Sequence, residues 1–351
     1  MYAFEMQNSS KSLSLTIITC AMKFHEPFLV ANYIGLRNFS KSIRWIIINN
    51  DESALDLPSE IQNDTKVEIQ KGPPLDTSYG PISIGVHHAK SLEIAAQQVK
   101  TNHALILDPD FVIINWERII QEFSRLNHHQ IVALGTPWFP TWYRKIANSL
   151  APHFVFIKTE VIQSSFEWYP ISKIPEYLKN SDSTSNTPRS QWPIFKSKIF
   201  KFALLYFFNR IKINTEYDTF GSTEILAKQN RILFLTPQLT RNQLAKLSPF
   251  LKYKGGRIFE KLIPRRFRYL TRHYSVAPFE LSVSTQHIEH WVVGEEIFGV
   301  HMRSFGAGKL LSKDFSAVTE FGMHLDFLTG GRLSMGNSLI ATNSVKRTNK
   351  T

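Results

Sequence analysis

The residues of this chain best placed to do chemistry stand in one short run, Leu105-Ile106-Leu107-Asp108-Pro109-Asp110-Phe111, where two carboxylates one residue apart follow an apolar stretch. In extended or turning backbone, positions i and i+2 project to the same side. Asp108 and Asp110 therefore offer two hard oxygen ligands to one point, a set that suits Mg²⁺ or Mn²⁺ and, through the ion, the two phosphates of a nucleotide. The competing reading is a solvated turn, because Asp and Pro are ordinary turn residues. The position of the motif, after a buried-type strand that itself follows two others ending in polar turns, favours the metal. A second pairing, His287 with His290, has the i, i+3 spacing of a zinc pair on a helix, but no third ligand stands at suitable spacing nearby. Structural roles are the better expectation for those two.

These carboxylates need a scaffold, and the flanking sequence supplies one. Leu13 to Thr19 and Trp45 to Ile48 are β-branched apolar runs separated by a segment with helical spacing at Phe28, Leu29, Ala31, Asn32 and Leu36. The second run stops at Asn49, Asn50 and Asp51, which favour turns. Val67 to Gln70 predicts a short third strand before the Gly72-Pro73-Pro74 break. A helix is predicted from about Ile84 to Val99, feeding the strand Ala104 to Leu107. Alternating strands and helices predict a mostly parallel α/β sheet, whose right-handed crossovers gather Thr19, Asn49 and Asp108 on one edge. Beyond Asp110 the pattern predicts a helix over Trp116 to Leu126, strands at Ile131 to Leu134 and Phe154 to Ile157, a helix at Glu224 to Gln229 and a strand at Ile232 to Thr236. Residues 180–191 are polar and breaker-rich, and 198–211 carry helical spacing.

The order LSLTIITC, WIIINNDES, helix, LILDPDF and a late Gly299-Val300-His301-Met302-Arg303 resembles the GT-A-fold glycosyltransferases of the broad family 2 type. The resemblance covers Ser12 to Phe111 and extends by motif order to about Arg303. It implies a GT-A-like (Rossmann-like), mostly parallel central sheet flanked by helices, with a C-terminal extension. The implied organisation is a disordered 1–11, a catalytic domain over 12–240 with a polar, basic insertion at about 179–212, an acceptor-side part over 241–330 and a flexible tail over 331–351. By the same resemblance, Thr19 and Cys20 sit at the nucleotide base, and Asn49 or Asp51 contacts uracil or ribose. Asp108 and Asp110 flank a Mn²⁺ or Mg²⁺ ion and the donor diphosphate, and His301 supplies a further metal ligand. The chain departs from the family in writing Asn49-Asn50-Asp51-Glu52 where Asp-Asn-Gly-Ser is usual. The approach to the metal strand is also altered, to Tyr79-Gly80-Pro81 and Gly85-Val86-His87-His88-Ala89. Adjacent helical residues point about 100° apart, so one of His87 and His88, taken as His88, is expected to face the phosphates. Glu216-Tyr217-Asp218-Thr219-Phe220-Gly221 stands where the family has its acidic base. That makes Asp218 the first choice and Glu216 the second, for an inverting transfer from a nucleotide sugar, a UDP-sugar by frequency in the family, to a hydroxyl of a glycan or lipid-linked acceptor. The competing role for Asp218 is a helix N-cap. The aromatics of Gly135 to Tyr143 could stack on sugar faces or simply fill core.

Composition narrows the classes further. The chain has 351 residues, 43% hydrophobic and 13% aromatic, which excludes disordered and collagen-like proteins. Its single cysteine, Cys20, excludes a disulfide framework. The net charge of +12 is local: seven basic residues and one acid lie within 179–212, and eight basic residues and one acid within 252–272. Trp192, Phe195, Phe200, Phe202, Phe207 and Phe208 interleave with lysines in the first stretch, a pattern suited to an anionic membrane surface. The second stretch, with Arg265, Arg266, Arg268 and Arg272, would alternatively bind nucleic acid, a reading that leaves Asp108-Pro109-Asp110 unexplained. Nucleic acid is therefore not the expected partner. A nucleotidyltransferase would need a glycine-rich phosphate loop after the first strand, where this chain has Cys20-Ala21-Met22-Lys23-Phe24-His25. The N-terminus does not read as a secretory signal, so the expected address is cytoplasmic, with peripheral contact to the inner membrane face.

Overall fold

A computed structural model describes residues 14–39, 43–124, 130–137, 149–164, 166–169, 223–244, 274–279, 288–302 and 315–333. The first strands are β1 (Leu15–Ala21), β2 (Arg44–Asn49), β3 (Val67–Lys71), β4 (His103–Leu107), β5 (Phe111–Ile113) and β6 (Ala133–Pro137). They are followed by β7 (Leu150–Lys158), β8 (Ile232–Phe234), β9 (Thr236–Leu239), β10 (Ser275–Val276), β11 (Ile288–Val293) and β12 (Glu296–Met302). The helices are α1 (Glu26–Phe39), α2 (Ser59–Gln62), α3 (Ser83–Ala96), α4 (Trp116–Phe123), α5 (Thr159–Gln163), α6 (Thr223–Lys228) and α7 (Phe315–Thr329).

The first sheet has the order β3-β2-β1-β4-β7-β6-β8, and within it only β7 runs antiparallel to its neighbours. The run Leu15-Thr16-Ile17-Ile18-Thr19-Cys20-Ala21 is buried throughout because helices cover both faces. Its alternation sorts the side chains: Leu15, Ile17 and Ala21 join one core with Trp45, Ile47 and Leu107, while Ile18 and Cys20 join another with Val86, Ala89 and Leu92 of α3. The chain runs from β1 outward to β3 and then crosses to β4 on the other side of β1. The gap between β1 and β4 is thus the place where strand order reverses, and in open α/β sheets ligands bind outside the strand ends at that place.

The second sheet, β10-β9-β11-β12-β5, was not foreseen. It joins β5, which begins at the residue immediately after Asp108-Pro109-Asp110, to strands from the C-terminal third. One face packs on α1 and α7 through Phe28, Val112, Ile288, Val300, Phe321 and Leu325. The outer edge of β5 is closed by one buried side chain of α1: Asn32 Nδ2 donates to the Phe111 carbonyl at 2.9 Å, and the Ile113 amide donates to Asn32 Oδ1 at 3.1 Å. An edge strand whose backbone is satisfied this way cannot slide, so the turn before it is fixed in register.

Several expectations are refined. The predicted strand at 232–236 is divided, since β8 ends at Phe234 in the first sheet and β9 begins at Thr236 in the second. The predicted helix from Trp116 ends at Phe123. His290 lies in β11, a strand, and His287 lies outside the described residues. Leu333, the last described residue, is 5% exposed. The polar segment 180–191, the helical spacing at 198–211, the aromatics from Trp138 to Tyr143, both basic stretches and Asp218 with Glu216 lie outside the described residues. Among the described residues, no helix is long and apolar enough to cross a membrane.

Candidate metal and nucleotide site

Asp108, Pro109 and Asp110 form a tight turn off the end of β4, closed by the Phe111 amide donating to the Asp108 carbonyl at 3.0 Å. Pro109 presets the backbone angle that such a turn wants at its second position. Two further bonds pin it: the Asp108 amide donates to the His153 carbonyl at 3.0 Å, and the Met302 amide to the Asp110 carbonyl at 2.9 Å. The turn is therefore tied to β7 on one side and to β12 on the other.

That anchoring brings imidazoles to the carboxylates. His153 Nδ1 lies 2.8 Å from Asp108 Oδ2, and His88 Nε2 lies 3.5 Å from Asp108 Oδ1. His301 Nε2 lies 3.5 Å from Asp110 Oδ1, while its Nδ1 lies 2.7 Å from Glu289 Oε2. The rings of His153 and His301 stack, with centroids 4.0 Å apart. Ligand atoms of Asp108, His153 and His301 all fall within 4.8 Å of one another. A divalent ion bonded at roughly 2.0–2.2 Å to each of two donors holds them about 3 Å apart. The measured O···N separations bracket that spacing, and the oxygen and imidazole donors suit a divalent ion of the Mn²⁺ type. The residues fit the ion that the motif implies.

The electrostatics agree. Burial pushes the Asp108 carboxyl up, but the hydrogen bond from His153 and the charges of His88, His153 and His301 outweigh it and hold it well below the usual carboxylate range. Burial works against a charged His301 as well, yet Asp110 and Glu289 overcome it and raise its pKa to about 10. His25, in the one-turn helix after β1, is held down at about 4 by burial, against the pull of Asp110 and Asp108. Its Nδ1 accepts from the Met22 amide at 3.0 Å. Three buried or half-buried carboxylates thus face one another across histidines, an arrangement that a cation would neutralise.

The remaining expected residues are placed as follows. Asp51 accepts from the Lys23 amide at 3.1 Å and from the Ser53 amide at 3.2 Å, which ties the turn after β2 to the loop after β1 and lowers its pKa. Asn49 accepts from the Asp51 amide at 2.9 Å and donates to the Ser53 carbonyl at 2.8 Å, so it builds the same turn. Cys20 is buried beneath α3, where burial and the nearby Asp108 raise its thiol pKa. Thr19 is fully buried with its hydroxyl accepting from Trp45 Nε1 at 2.9 Å. The turn after β2, the loop after β1 and the Asp108–Asp110 turn line one edge, whereas the Thr19 side chain points into the core. On α3 the adjacent histidines diverge: His88 faces Asp108, and His87 Nε2 contacts the Pro73 carbonyl at 2.8 Å.

His153, Glu289 and His25 escaped the sequence reading. His153 precedes the predicted strand at Phe154 by one residue, and only the antiparallel pairing of β7 with β4, Leu107 opposite Phe154, carries it to Asp108. Glu289 is hidden in the run Ile288-Glu289-His290-Trp291-Val292-Val293.

No protein-family model matches the sequence. No curated relative is found by sequence either. Among solved structures, the chain is similar in fold to the galactosyltransferase LgtC in complex with donor and acceptor sugar analogues (10% identity, 75% of this chain and 84% of that one, TM-score 0.37). It is similar also to the mannosyltransferase PcManGT of Pyrobaculum calidifontis in complex with GDP-Man and Mn²⁺ (12%, 43% and 46%, 0.33). A third is S. aureus TarS in complex with UDP (14%, 48% and 52%, 0.32). The chain spans about half the length of the latter two.

Proposed function

We propose that the chain is a metal-dependent glycosyltransferase that takes a nucleotide-sugar donor at the edge formed by the turns after β1, β2 and β4. The observation that supports this best is the convergence of Asp108, Asp110, His153 and His301 at the end of β4, beside the strand-order reversal. These four residues would hold a divalent ion, Mn²⁺ or Mg²⁺. When bound, it would neutralise a diphosphate leaving group as the sugar bond breaks. His88 and His25, beside the carboxylates, would meet the phosphates, and Asp51 and Asn49 shape the turn proposed to receive base and ribose. Asp218, or failing it Glu216, is proposed to take the proton of the acceptor hydroxyl in an inverting transfer, with a glycan or lipid-linked hydroxyl as acceptor. UDP is the proposed nucleotide.

The test is thermal unfolding of the purified protein with Mn²⁺ and a panel of UDP, GDP, CMP and their sugars. A ligand at about 100 times its dissociation constant should stabilise the fold by roughly 2.7 kcal/mol. A shift with one nucleotide that requires the metal supports the reading. No shift with any of them counts against it.

A further inference from the structure

Glu289 sits where a carboxylate is costly. It is 2% exposed, in the interior strand β11 between Ile288 and His290, and an unpaired buried carboxylate would be strongly unfavourable. Its Oε2 lies 2.7 Å from His301 Nδ1. The pairing is set by register: Glu289 lies directly opposite His301 in the antiparallel β11–β12 pair, so both side chains leave the same face of the sheet. That face looks toward the Asp108–Asp110 turn, while Ile288 and Val300 look the other way, to α7.

The consequence concerns the far nitrogen. With Nδ1 donating to Glu289, the lone pair of a neutral His301 is left on Nε2, the atom 3.5 Å from Asp110 Oδ1 and within the group formed with Asp108 and His153. The ring cannot swing away, because His153 stacks on it with centroids at 4.0 Å and Phe111 at 6.1 Å. Room for the Phe111 ring comes from Gly299, where a Cβ would stand 2.4 Å from a ring carbon. A carboxylate behind a metal-binding imidazole fixes its tautomer and orientation and makes it a better ligand.

We infer that Glu289 is a positioning residue that aims His301 Nε2 at the divalent cation. The inference rests on the cation site proposed above, but it adds a residue that touches neither ion nor substrate. A buried ion pair kept only for stability predicts something else, since removing one partner leaves the other uncompensated and lowers the melting point without a separate effect on metal affinity.

Mn²⁺ binding to the full chain, read by titration calorimetry and by the electron paramagnetic resonance signal of the bound ion, separates these roles. Glu289→Gln keeps the volume and an acceptor oxygen but loses the charge, and Glu289→Met removes the polar group altogether. Both should melt cooperatively without metal, Glu289→Met below the wild-type midpoint because the buried His301 Nδ1–H loses its acceptor. Both should nevertheless bind Mn²⁺ more weakly, by about 10- to 100-fold for Glu289→Met and less for Glu289→Gln. In a His301→Ala background the Glu289 substitutions should have no further effect. Wild-type affinity in either cooperatively melting variant overturns the positioning role and leaves the cation site standing. Failure of the wild-type chain itself to bind Mn²⁺ sinks the site and the inference together.

Discussion

At the scale of single residues, the site depends on imidazoles presented to carboxylates. His153→Ala removes the ring nitrogen 2.8 Å from Asp108 and one wall of the His301 stack. Mn²⁺ affinity should fall at least tenfold by calorimetry, whereas His87→Ala, whose ring faces Pro73, should leave it unchanged. A second histidine pair lies behind the second sheet. His290 Nε2 meets His324 Nε2 at 2.7 Å, one ring donating and the other accepting, and burial together with His324 holds the pKa of His290 down at about 3. A histidine kept neutral in the fold but free to charge when unfolded stabilises the protein above pH 6.5 and loses that contribution as pH falls toward 3. Urea unfolding should therefore lose stability below pH 6.5, by up to about 1.4 kcal/mol per pH unit from His290. The slope should flatten in His290→Leu, and an unchanged slope would contradict the assignment. The two carboxylates of the site were legible because both stand in one short run of sequence. His153 and Glu289 were not, since His153 reaches Asp108 only through strand pairing across 45 residues and Glu289, which meets His301, is buried within a strand.

At the scale of elements, the turn carrying the carboxylates is held by β5, and β5 is held by Asn32. Asn32→Ala would orphan the Phe111 carbonyl and the Ile113 amide, both buried, and should cost about 1–3 kcal/mol in chemical denaturation. It should also weaken Mn²⁺ binding, because the turn before β5 loses its anchor. Gly299→Ala would drive a methyl into the Phe111 ring, an overpacking worth about 1–3 kcal/mol. A melting point equal to wild type in either variant would contradict the role given to that contact. The parallel part of the first sheet was readable, since β1, β2 and β4 are apolar runs that end in polar turns. The second sheet was not. β5 has only three residues, and its partner β12 lies almost two hundred positions away in sequence, so local pattern gives no hint of the pairing. The division of the run 232–236 between two sheets is likewise a tertiary choice, invisible to periodicity.

For the whole molecule, the net charge of +12 is gathered into two stretches of sequence apart from the residues of the catalytic proposal at Asp108 and Asp110. An enzyme with a lipid-linked acceptor should sediment with vesicles containing anionic lipid and be released as salt rises, since the attraction decays over about 10 Å at 0.1 M salt. Equal sedimentation with neutral vesicles would contradict an electrostatic contact. The central claim is that a divalent cation at Asp108, Asp110, His153 and His301 joins this chain to a nucleotide diphosphate. Calorimetric titration of UDP into the protein, with and without Mn²⁺ and again with Asp110→Ala, tests it most directly. The account predicts binding that needs the metal and is lost in Asp110→Ala while the variant stays folded. Metal-independent binding of equal strength in both proteins would contradict it.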